Sequence, residues 1–338
     1  MKNKLLIITM GILMSTISGS VLHALEKISL PGNNGTFFQV NNIGSSAEMI
    51  GRGSVQGFSE QASVLFENPA SLKLLNKGSV SIFYTKLINE LEYKNVAVAY
   101  RGSMGMIGVG YMDLGVQGIP KTKRENDMNF QIGSFQYLNS VVKVSYQNSL
   151  NNKLSYGVSS SFFKTKMDTL SGKGGNLDVG IMWKTKKMIL SYSIKNIIKN
   201  NRINFEDSDP DQENNSTGAQ EEIPMEMIAS AKVKIWDLDL FCQLKNESGK
   251  TMKNVAIRYT PRFIKMINFN VGRKELFVTR YIADHNRQAE IESALIPILG
   301  VGIGLRIKKV GFDYAYENAS NVKKRDSHRH YFSININF

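Results

Sequence analysis

The strongest constraint in this sequence is a two-residue alternation of apolar with small or polar side chains, repeated in segment after segment from residue 78 to the end. In segment 299–308, Leu299, Val301, Ile303, Leu305 and Ile307 alternate with Gly300, Gly302, Gly304, Arg306 and Lys308. Successive side chains on a β-strand point to opposite faces of the sheet, so each segment has one apolar face and one polar face. The chain is therefore predicted to be all-β.

A soluble β-sandwich and a transmembrane β-barrel would both show this alternation, but three features favour the barrel. The segments run about nine to eleven residues, the length with which a tilted strand crosses the hydrocarbon core of a membrane. The polar face carries charges, which suit a watery interior. The last segment ends on an aromatic residue, with apolar side chains at every second position before it: Phe332, Ile334, Ile336 and Phe338. We predict a transmembrane, antiparallel, up-and-down barrel whose last strand presents this face to the barrel-assembly machinery.

The connections between segments alternate between long and short when they are read back from the C-terminus. The long ones are 318–327, 275–296, 246–251 and 198–224, and the short ones are Lys308-Lys309, 261–264, Trp236 and Lys186-Lys187. Long external loops and short periplasmic turns are typical of outer-membrane barrels. Such barrels have an even number of strands, because both chain ends face the periplasm. Counting 127–137 separately from 139–148 would give fifteen strands; merging 127–148 into one loop-plus-strand predicts about fourteen.

The first 24 residues have the three parts of a secretory signal peptide. Lys2 and Lys4 precede an apolar run from Leu5 to Ile17, and small residues lead to a predicted cleavage after Ala24. A retained membrane anchor is the alternative. The sequence thus predicts a signal peptide at 1–24, an N-terminal plug at 25–76 and a barrel at 77–338. Export of a barrel through a cleaved signal predicts a location in the cell outer membrane, with its lipids as partners.

Charge and cysteine content exclude other classes of protein. The formal net charge is +13, which in a cytosolic protein would suggest nucleic acid as a partner. Here the basic residues are spread through strand ends and turns rather than interleaved with aromatic residues on one face, so we predict no nucleic-acid binding. A rim facing anionic lipid headgroups explains them better. The single cysteine, Cys242, cannot form an intramolecular disulfide.

Residues arranged for catalysis, metal binding or cofactor binding are not evident. His328 and His330 are spaced as a pair but read best as the polar start of a strand. Asp284-His285 is the one candidate dyad, and adjacency in sequence is not hydrogen-bond geometry. The acidic loop 198–224 lacks the ligand spacing of a calcium loop and reads as an external loop. We predict that the protein is not an enzyme and holds no metal or cofactor.

Six charged residues fall on the polar face of predicted strands and are expected to point into the lumen. They are Asp113, Asp178, Asp239, Arg258, Arg306 and Asp313. They would either line a path for a solute or dock the plug, or they would neutralise one another in a narrow interior.

Residues 25–76 do not alternate and are too few to hold a core of their own. They are expected to fold inside or against the barrel and to include a short helix at 62–66. Two short motifs stand out. The first contains Gly51, Arg52 and Gly53, and the second contains Asn68, Pro69, Ala70 and Leu72. Glycine permits close approach of backbones, and Asn-Pro favours a turn.

These motifs resemble the PorV/PorQ branch of the FadL-like outer-membrane proteins. Members open with a glycine-rich stretch and an Asn-Pro-Ala stretch before the first strand, which stand here as 51–54 and 66–72. Further matches are Asp178-Val179-Gly180, 193–197, Ile223-Pro224, 312–316 and the terminal Phe338. The sequence departs from the family at Ser71, where a second glycine is usual, and at 59–61, where an acidic pair is usual.

The resemblance implies a fourteen-stranded barrel with its N-terminal segment plugging the lumen. In the fatty-acid transporter relatives, the plug gates passage of hydrophobic molecules, which predicts a channel or transporter for small hydrophobic molecules across the outer membrane. In the PorV relatives, the barrel works with a type IX secretion machine or in lipopolysaccharide modification. The alternative is therefore a scaffold or shuttle for secretion-system proteins, bound through the loops 198–224 and 275–296, without solute transport.

Overall fold

The structure is a computed structural model that describes residues 43–87, 91–125, 128–198, 202–207, 216–283, 289–318 and 328–338. The predicted signal peptide and the Asp284-His285 dyad lie outside the described residues. No helix of the described residues is long and apolar enough to cross a membrane.

The described chain consists mostly of β-strands, in agreement with the alternation in the sequence. The strands are β1 Gly78–Lys86, β2 Glu92–Gly102, β3 Gly105–Glu125, β4 Met128–Ser149, β5 Leu154–Met167, β6 Leu170–Lys184, β7 Met188–Lys195, β8 Arg202–Asp207, β9 Ser216–Glu222, β10 Glu226–Ile235, β11 Leu238–Glu247, β12 Lys250–Tyr259, β13 Ile267–Ala283, β14 Ala289–Ile307, β15 Val310–Asn318 and β16 His328–Asn337.

Fourteen of these described strands, all except β8 and β9, form a closed antiparallel barrel, which confirms the predicted fold and strand number. Each strand pairs with its neighbour along the chain, β7 pairs with β10, and β1 pairs with β16 to close the ring. At the closing pair Ile82 lies opposite Ile334. Gly78 and Phe338 also exchange two backbone hydrogen bonds of 3.0 Å each. Closure leaves the barrel itself without a free edge.

Several segments read as loops from the sequence are strands in the structure. Residues 128–149 form one continuous strand, β4, rather than a loop followed by a strand. Strands β13 and β14 continue to residues 283 and 289, through most of the predicted loop 275–296. The predicted loop 198–224 contains the hairpin β8–β9, which pairs with the start of β6. The sequence does not reveal these extensions, because a strand that continues beyond the membrane no longer needs an apolar outer face.

The two ends of the barrel differ. At the chain-end rim, where β1 begins and β16 ends, neighbouring strands are joined by short turns such as Trp236-Asp237 and Lys308-Lys309. At the opposite end, the long-loop rim, lie the strand extensions and the β8–β9 hairpin. Between the rims the outward side chains are apolar, and Phe332, Ile334, Ile336 and Phe338 are all exposed there. Such a surface in contact with water would be an aggregation hazard, whereas in a membrane it meets lipid.

The N-terminal segment lies inside the barrel. It is described from residue 43 and contains the helix α1, Ala47–Gly51, and two 3₁₀ helices, Ala62–Phe66 and Pro69–Leu74. Side chains cap the helix starts: Ser46 accepts a hydrogen bond from the amide of Met49 (3.2 Å), and Asn68 accepts one from the amide of Ala70 (2.9 Å). Nearly all residues from 44 to 75 are buried. We call residues 43–76 the plug.

Candidate functional site: the plug and the lumen

Inward-facing glycines of the barrel receive the backbone of the plug. A Cβ atom on Gly272 of β13 would lie 2.2 Å from the amide nitrogen of Gly53, and one on Gly51 would lie 2.8 Å from the Cα of Gly302. Gly53 also has a positive φ of 58°, which favours glycine. The glycine motif of the plug is therefore required both for its turn and for its close approach to β13 and β14.

Asn68 anchors the plug to the opposite part of the wall. Its side-chain amide donates hydrogen bonds to Ser191 Oγ (2.8 Å) and to the backbone carbonyls of Ile181 (3.3 Å) and Tyr192 (3.2 Å). Its Oδ1 would lie only 1.9 Å from a Cβ on Gly180 of β6. One side chain thus caps a plug helix and binds two barrel strands, β6 and β7.

The neighbours of Asn68 in its motif continue this contact. A Cβ on Gly157 of β5 would lie 2.5 Å from the carbonyl carbon of Pro69. The hydroxyl of Ser155 donates to the carbonyl of Ala70 (3.3 Å), and Leu72 is fully buried. All seven predicted plug-motif residues therefore lie at or beside the contact between the plug and the barrel.

Glu48, on α1, is the centre of a buried charge cluster. Its carboxylate accepts hydrogen bonds from Arg52 Nη1 (2.8 Å), Gln61 Nε2 (3.1 Å) and Arg306 Nη2 (3.4 Å), and a further one from Arg258 Nη2. Arg52 belongs to the plug, whereas Arg258 lies on β12 and Arg306 on β14. This single carboxylate therefore ties the plug to two strands of the wall.

Two further carboxylates balance the three guanidinium groups around Glu48. Arg306 Nη1 lies 2.8 Å from Oδ1 of Asp313, and Arg52 Nη2 lies 4.0 Å from Oε2 of Glu67. The carboxylate of Glu67 accepts hydrogen bonds from Ser45 Oγ (2.7 Å), Ser59 Oγ (2.6 Å) and the amide of Gly57 (2.6 Å). Three cations face three anions, so the cluster is formally neutral. Buried charges persist when they are paired and hydrogen-bonded in this way.

The pKa of Glu48 is held well below its usual range. Burial favours the neutral acid, but the positive charges of Arg258, Arg52 and Arg306 together outweigh that effect, and the hydrogen bond from Arg258 adds to it. Glu48 is therefore ionised at neutral pH.

Five of the six residues predicted to point into the lumen lie on the inner face. Arg258, Arg306 and Asp313 belong to the Glu48 cluster. Asp178 accepts a hydrogen bond of 2.5 Å from Lys143 Nζ across the wall between β4 and β6, and Asp239 pairs with Lys232 at 3.0 Å. Every one of these five is engaged in an ion pair.

The prediction that Asp113 points into the lumen is wrong. On β3, Gly110 faces the plug, whereas Tyr111 is exposed on the outer face, and Asp113 shares the face of Tyr111. Its Oδ2 lies 3.5 Å from Nζ of outward-facing Lys94 and accepts a hydrogen bond of 3.3 Å from the Tyr111 hydroxyl. Here the outer face turns from apolar to polar near the long-loop rim, so polarity no longer marks the inner face.

A continuous apolar cluster joins the plug to the long-loop rim along one side of the lumen. From the inner faces of β1 to β5 it includes Phe83, Tyr93, Met112, Leu114, Val141 and Phe163. From the plug it includes Ile50, Leu65 and Phe66, and from the β8–β9 hairpin and the segment after it, Ile203 and Ile223. Ile203 is completely buried, so the hairpin covers this cluster at the rim.

Ion pairs line the other side of the lumen. Lys245 of β11 lies 3.2 Å from Glu226 and 3.0 Å from Glu247, and Lys274 of β13 contacts Glu317 at 2.5 Å. All five side chains face inward. The lumen therefore has an apolar side along β1 to β5, interrupted at β4 by Lys143 of the Lys143–Asp178 pair, and a charged side along β10 to β15.

Sequence reasoning missed two parts of this site. Glu48 lies in a segment without periodicity, and its barrel partner Arg258 is 210 residues away in the chain. The only local signal is that Glu48 and Arg52 are four residues apart, as in an ion pair on one helix face. The hairpin was missed because Ile203 and Phe205 stand alone among polar residues. No group of three or more His, Cys, Asp or Glu in the described ranges could hold a metal ion.

Known structures contain the same arrangement of strands. A TodX monoaromatic hydrocarbon channel, in its deltaS2 mutant, superposes with a TM-score of 0.58 at 10% identity, covering 87% of this chain and 98% of that one. A Pseudomonas aeruginosa FadL homologue gives a TM-score of 0.54 at 12% identity over 86% and 97% of the two chains. The Ralstonia pickettii toluene transporter TbuX gives 0.51 at 13% identity over 89% and 100%. The chain has the fold of these proteins.

Comparison of sequences adds nothing to this result. No protein-family model matches the chain, and no curated protein matches it. With identities of 10–13% the likeness to the FadL homologue, TodX and TbuX concerns the fold. The narrower resemblance to PorV and PorQ stays a prediction.

Proposed function

We propose that the protein is an outer-membrane channel for small hydrophobic molecules. The observation that carries the proposal is the apolar cluster from the β8–β9 hairpin to the plug. Polar and charged side chains are sufficient to fill a barrel interior, and ion pairs do so on the charged side of this one. The apolar side offers a hydrophobic molecule contacts from the β8–β9 hairpin to the plug.

A membrane location follows from the outer face of the barrel. Exposed Val, Ile, Leu and Phe side chains cover it between the rims, and aromatic residues such as Tyr100, Tyr259 and Phe338 lie toward the chain-end rim. Aromatic residues at both edges of an apolar band are typical of barrels that span the outer membrane. The fold neighbours include a monoaromatic hydrocarbon channel and toluene transporters, which supports the same class of solute here.

Proteoliposomes test the proposal directly. The full chain is placed in lipid vesicles that enclose a fluorescent reporter of fatty acids, and entry of a long-chain fatty acid is followed against protein-free vesicles. Uptake should be slowed by Leu114→Gln with Phe163→Gln, which place amides on the apolar side. It should be unchanged by Lys232→Gln with Asp239→Asn, which neutralise a pair on the charged side. Equal uptake by all three proteins and the protein-free control would refute the proposal.

The scaffold alternative makes a different prediction. It requires a protein partner held by the long-loop rim, where the β8–β9 hairpin and the ends of β13 and β14 lie. Loss of a co-purified partner on deletion of 203–221, without any effect on uptake, would favour it.

A further inference from the structure

The outer surface of the barrel is indented along β10. The outward side chains of this strand include Ala229 and Ala231, whose neighbours across the strand pairs are larger. Ala229 lies between Tyr192 and Leu244, and Ala231 lies between Leu190 and Cys242. The result is a groove of about 550 Å³ on the outer surface, within the range of sites that bind small molecules.

The lining of this groove is almost wholly apolar. Leu154, Trp183 and Met188 extend it toward the chain-end rim, and Val255 borders it on the side of β12. Elsewhere the outer face is covered by protruding side chains, such as Val98 and Val301, that are well exposed. The groove is therefore a concave site, whereas contact with lipid requires only that the outer surface be apolar.

Three exposed lysines lie in the turns at the chain-end rim, where the groove ends. We call Lys153, Lys186 and Lys187 the lysine patch. Backbone hydrogen bonds of 2.8 Å from Lys184 to the carbonyl of Lys153 and from Lys234 to that of Lys187 bring three turns together. None of the three forms an ion pair with the part of the chain that the structure describes. The patch is thus a concentration of positive charge without an internal counter-ion.

We propose that the groove and the lysine patch together bind one anionic glycerophospholipid from the leaflet at the chain-end rim. One acyl chain lies in the groove over Ala229 and Ala231, and the phosphate lies at the lysines. Basic clusters beside a membrane attract anionic headgroups, and Trp183 lies between groove and patch, at the level where indole rings favour the interface. An apolar solute would explain the groove but not the charges, and a surface peptide would explain the charges but not the groove.

This inference rests on the proposed membrane location but not on solute transport. A barrel that moves no hydrocarbon could still hold this lipid, and a transporting barrel could lack it. Uptake by proteoliposomes and lipid binding are therefore separate measurements, and either one can fail alone.

Native mass spectrometry of the full chain in a non-ionic detergent tests it. The probes are dipalmitoyl phosphatidylglycerol and dipalmitoyl phosphatidylcholine, which have the same acyl chains and differ in net charge. One variant combines Lys153→Gln, Lys186→Gln and Lys187→Gln. Its matched control combines Lys265→Gln, Lys308→Gln and Lys309→Gln, three exposed lysines in the β12–β13 and β14–β15 turns of the same rim. A third variant, Ala229→Leu with Ala231→Leu, fills the groove, and Val98→Leu is its control.

The phosphatidylglycerol should bind the wild type as one retained molecule, about tenfold more tightly than the phosphatidylcholine. The patch variant should lose that preference, the filled groove should lose both lipids, and the two controls should behave as wild type. Equal binding of the two lipids by the wild type, or equal losses in patch variant and control, would overturn the proposal. Displacement by lipid A but not by phosphatidylglycerol, or binding of hexadecane insensitive to the lysine changes, would also overturn it. If the filled variant fails to fold, the comparison of the two lysine variants still decides.

Discussion

Gly53 of the plug and Gly272 of β13 meet backbone to backbone, with no room for a side chain on either. A Cβ on Gly272 would lie 2.2 Å from the Gly53 amide nitrogen. Gly272→Val should therefore displace the plug while leaving the outer face of β13 unchanged. We expect faster proteolysis within residues 43–76 and a lower unfolding temperature. Gly133→Val, at a strand glycine with open space around it, is the control. Unchanged protection of the plug in Gly272→Val would show that the contact is dispensable.

Removal of the Glu48 charge should destabilise the protein strongly. Glu48→Gln leaves Arg52, Arg258 and Arg306 with one buried anion fewer, and loss of one partner from a buried ion pair costs about 3–5 kcal/mol. Chemical unfolding in detergent micelles measures the effect.

The exposed pair Arg262–Asp237 serves as the comparison for that change. Arg262 Nε lies 2.7 Å from Asp237 Oδ1 at the chain-end rim, so Asp237→Asn should change the free energy of unfolding much less than Glu48→Gln does. Similar losses in the two variants would contradict the role given to Glu48.

The pH dependence of stability should also depend on Glu48. Its pKa is lowered in the folded protein, so its contribution is complete above the pKa of the unfolded chain, near 4.5, and decreases as the pH falls from there toward the folded pKa. The difference in unfolding temperature between wild type and Glu48→Gln should shrink as the pH falls below about 4.5. A difference that grew below that pH would have the wrong sign.

The β8–β9 hairpin should open locally when its buried anchor is removed. Ile203 is completely buried against Gly172 and Gly174 of β6. Ile203→Ala should therefore raise the rate of hydrogen exchange in 202–207 and 216–222 and leave the barrel strands unaffected. Arg202→Ala, which removes only an exposed hydrogen bond to Gln220, should have little effect on the same amides.

A charged side chain on the outer face should lower the free energy of unfolding, and the loss should be larger the closer the residue lies to the middle of the membrane. Val301, near the middle of β14, is exposed on the outer face, so Val301→Arg should cost about 2–4 kcal/mol in a lipid bilayer. Ile307, on the same face beside the chain-end rim, is the matched site, and Ile307→Arg should cost about 1 kcal/mol or less. Reversible folding into vesicles measures both, and equal costs would argue against a membrane around this band.

Much of the fold could be predicted because the membrane imposes a simple pattern. Where lipid lies outside, as along 299–307, every second residue is apolar and the strand is evident. Where the strands leave the membrane, as in β4 before residue 138 and in the ends of β13 and β14, that constraint disappears. For the same reason Asp113 was wrongly predicted to face the lumen, although it lies on the outer face beside Lys94.

The site was only partly predictable, because its contacts join distant parts of the chain. The plug motifs were recognisable, since Gly53 and Asn68 belong to short local patterns. Their partners Gly272 and Gly180 were not, because a glycine on the small or polar face of a strand can simply face water. The Glu48 cluster could not be predicted without the fold, because only the fold brings residues 48, 258 and 306 together.

The plug is held at two distant places on the ring: Asn68 and Pro69 on β5 to β7, and Gly51 and Gly53 on β13 and β14. These strands are nearly half the circumference apart. The plug segment between Gly53 and Asn68 therefore crosses the interior of the barrel from one wall to the other. The ring cannot become wider along that diameter while both ends are attached. Widening along that diameter must therefore begin with detachment at one end. Both ends pack tightly on strand glycines, but the polar contacts differ: hydrogen bonds of the Asn68 amide hold one end, and the ion pairs of Glu48 hold the other.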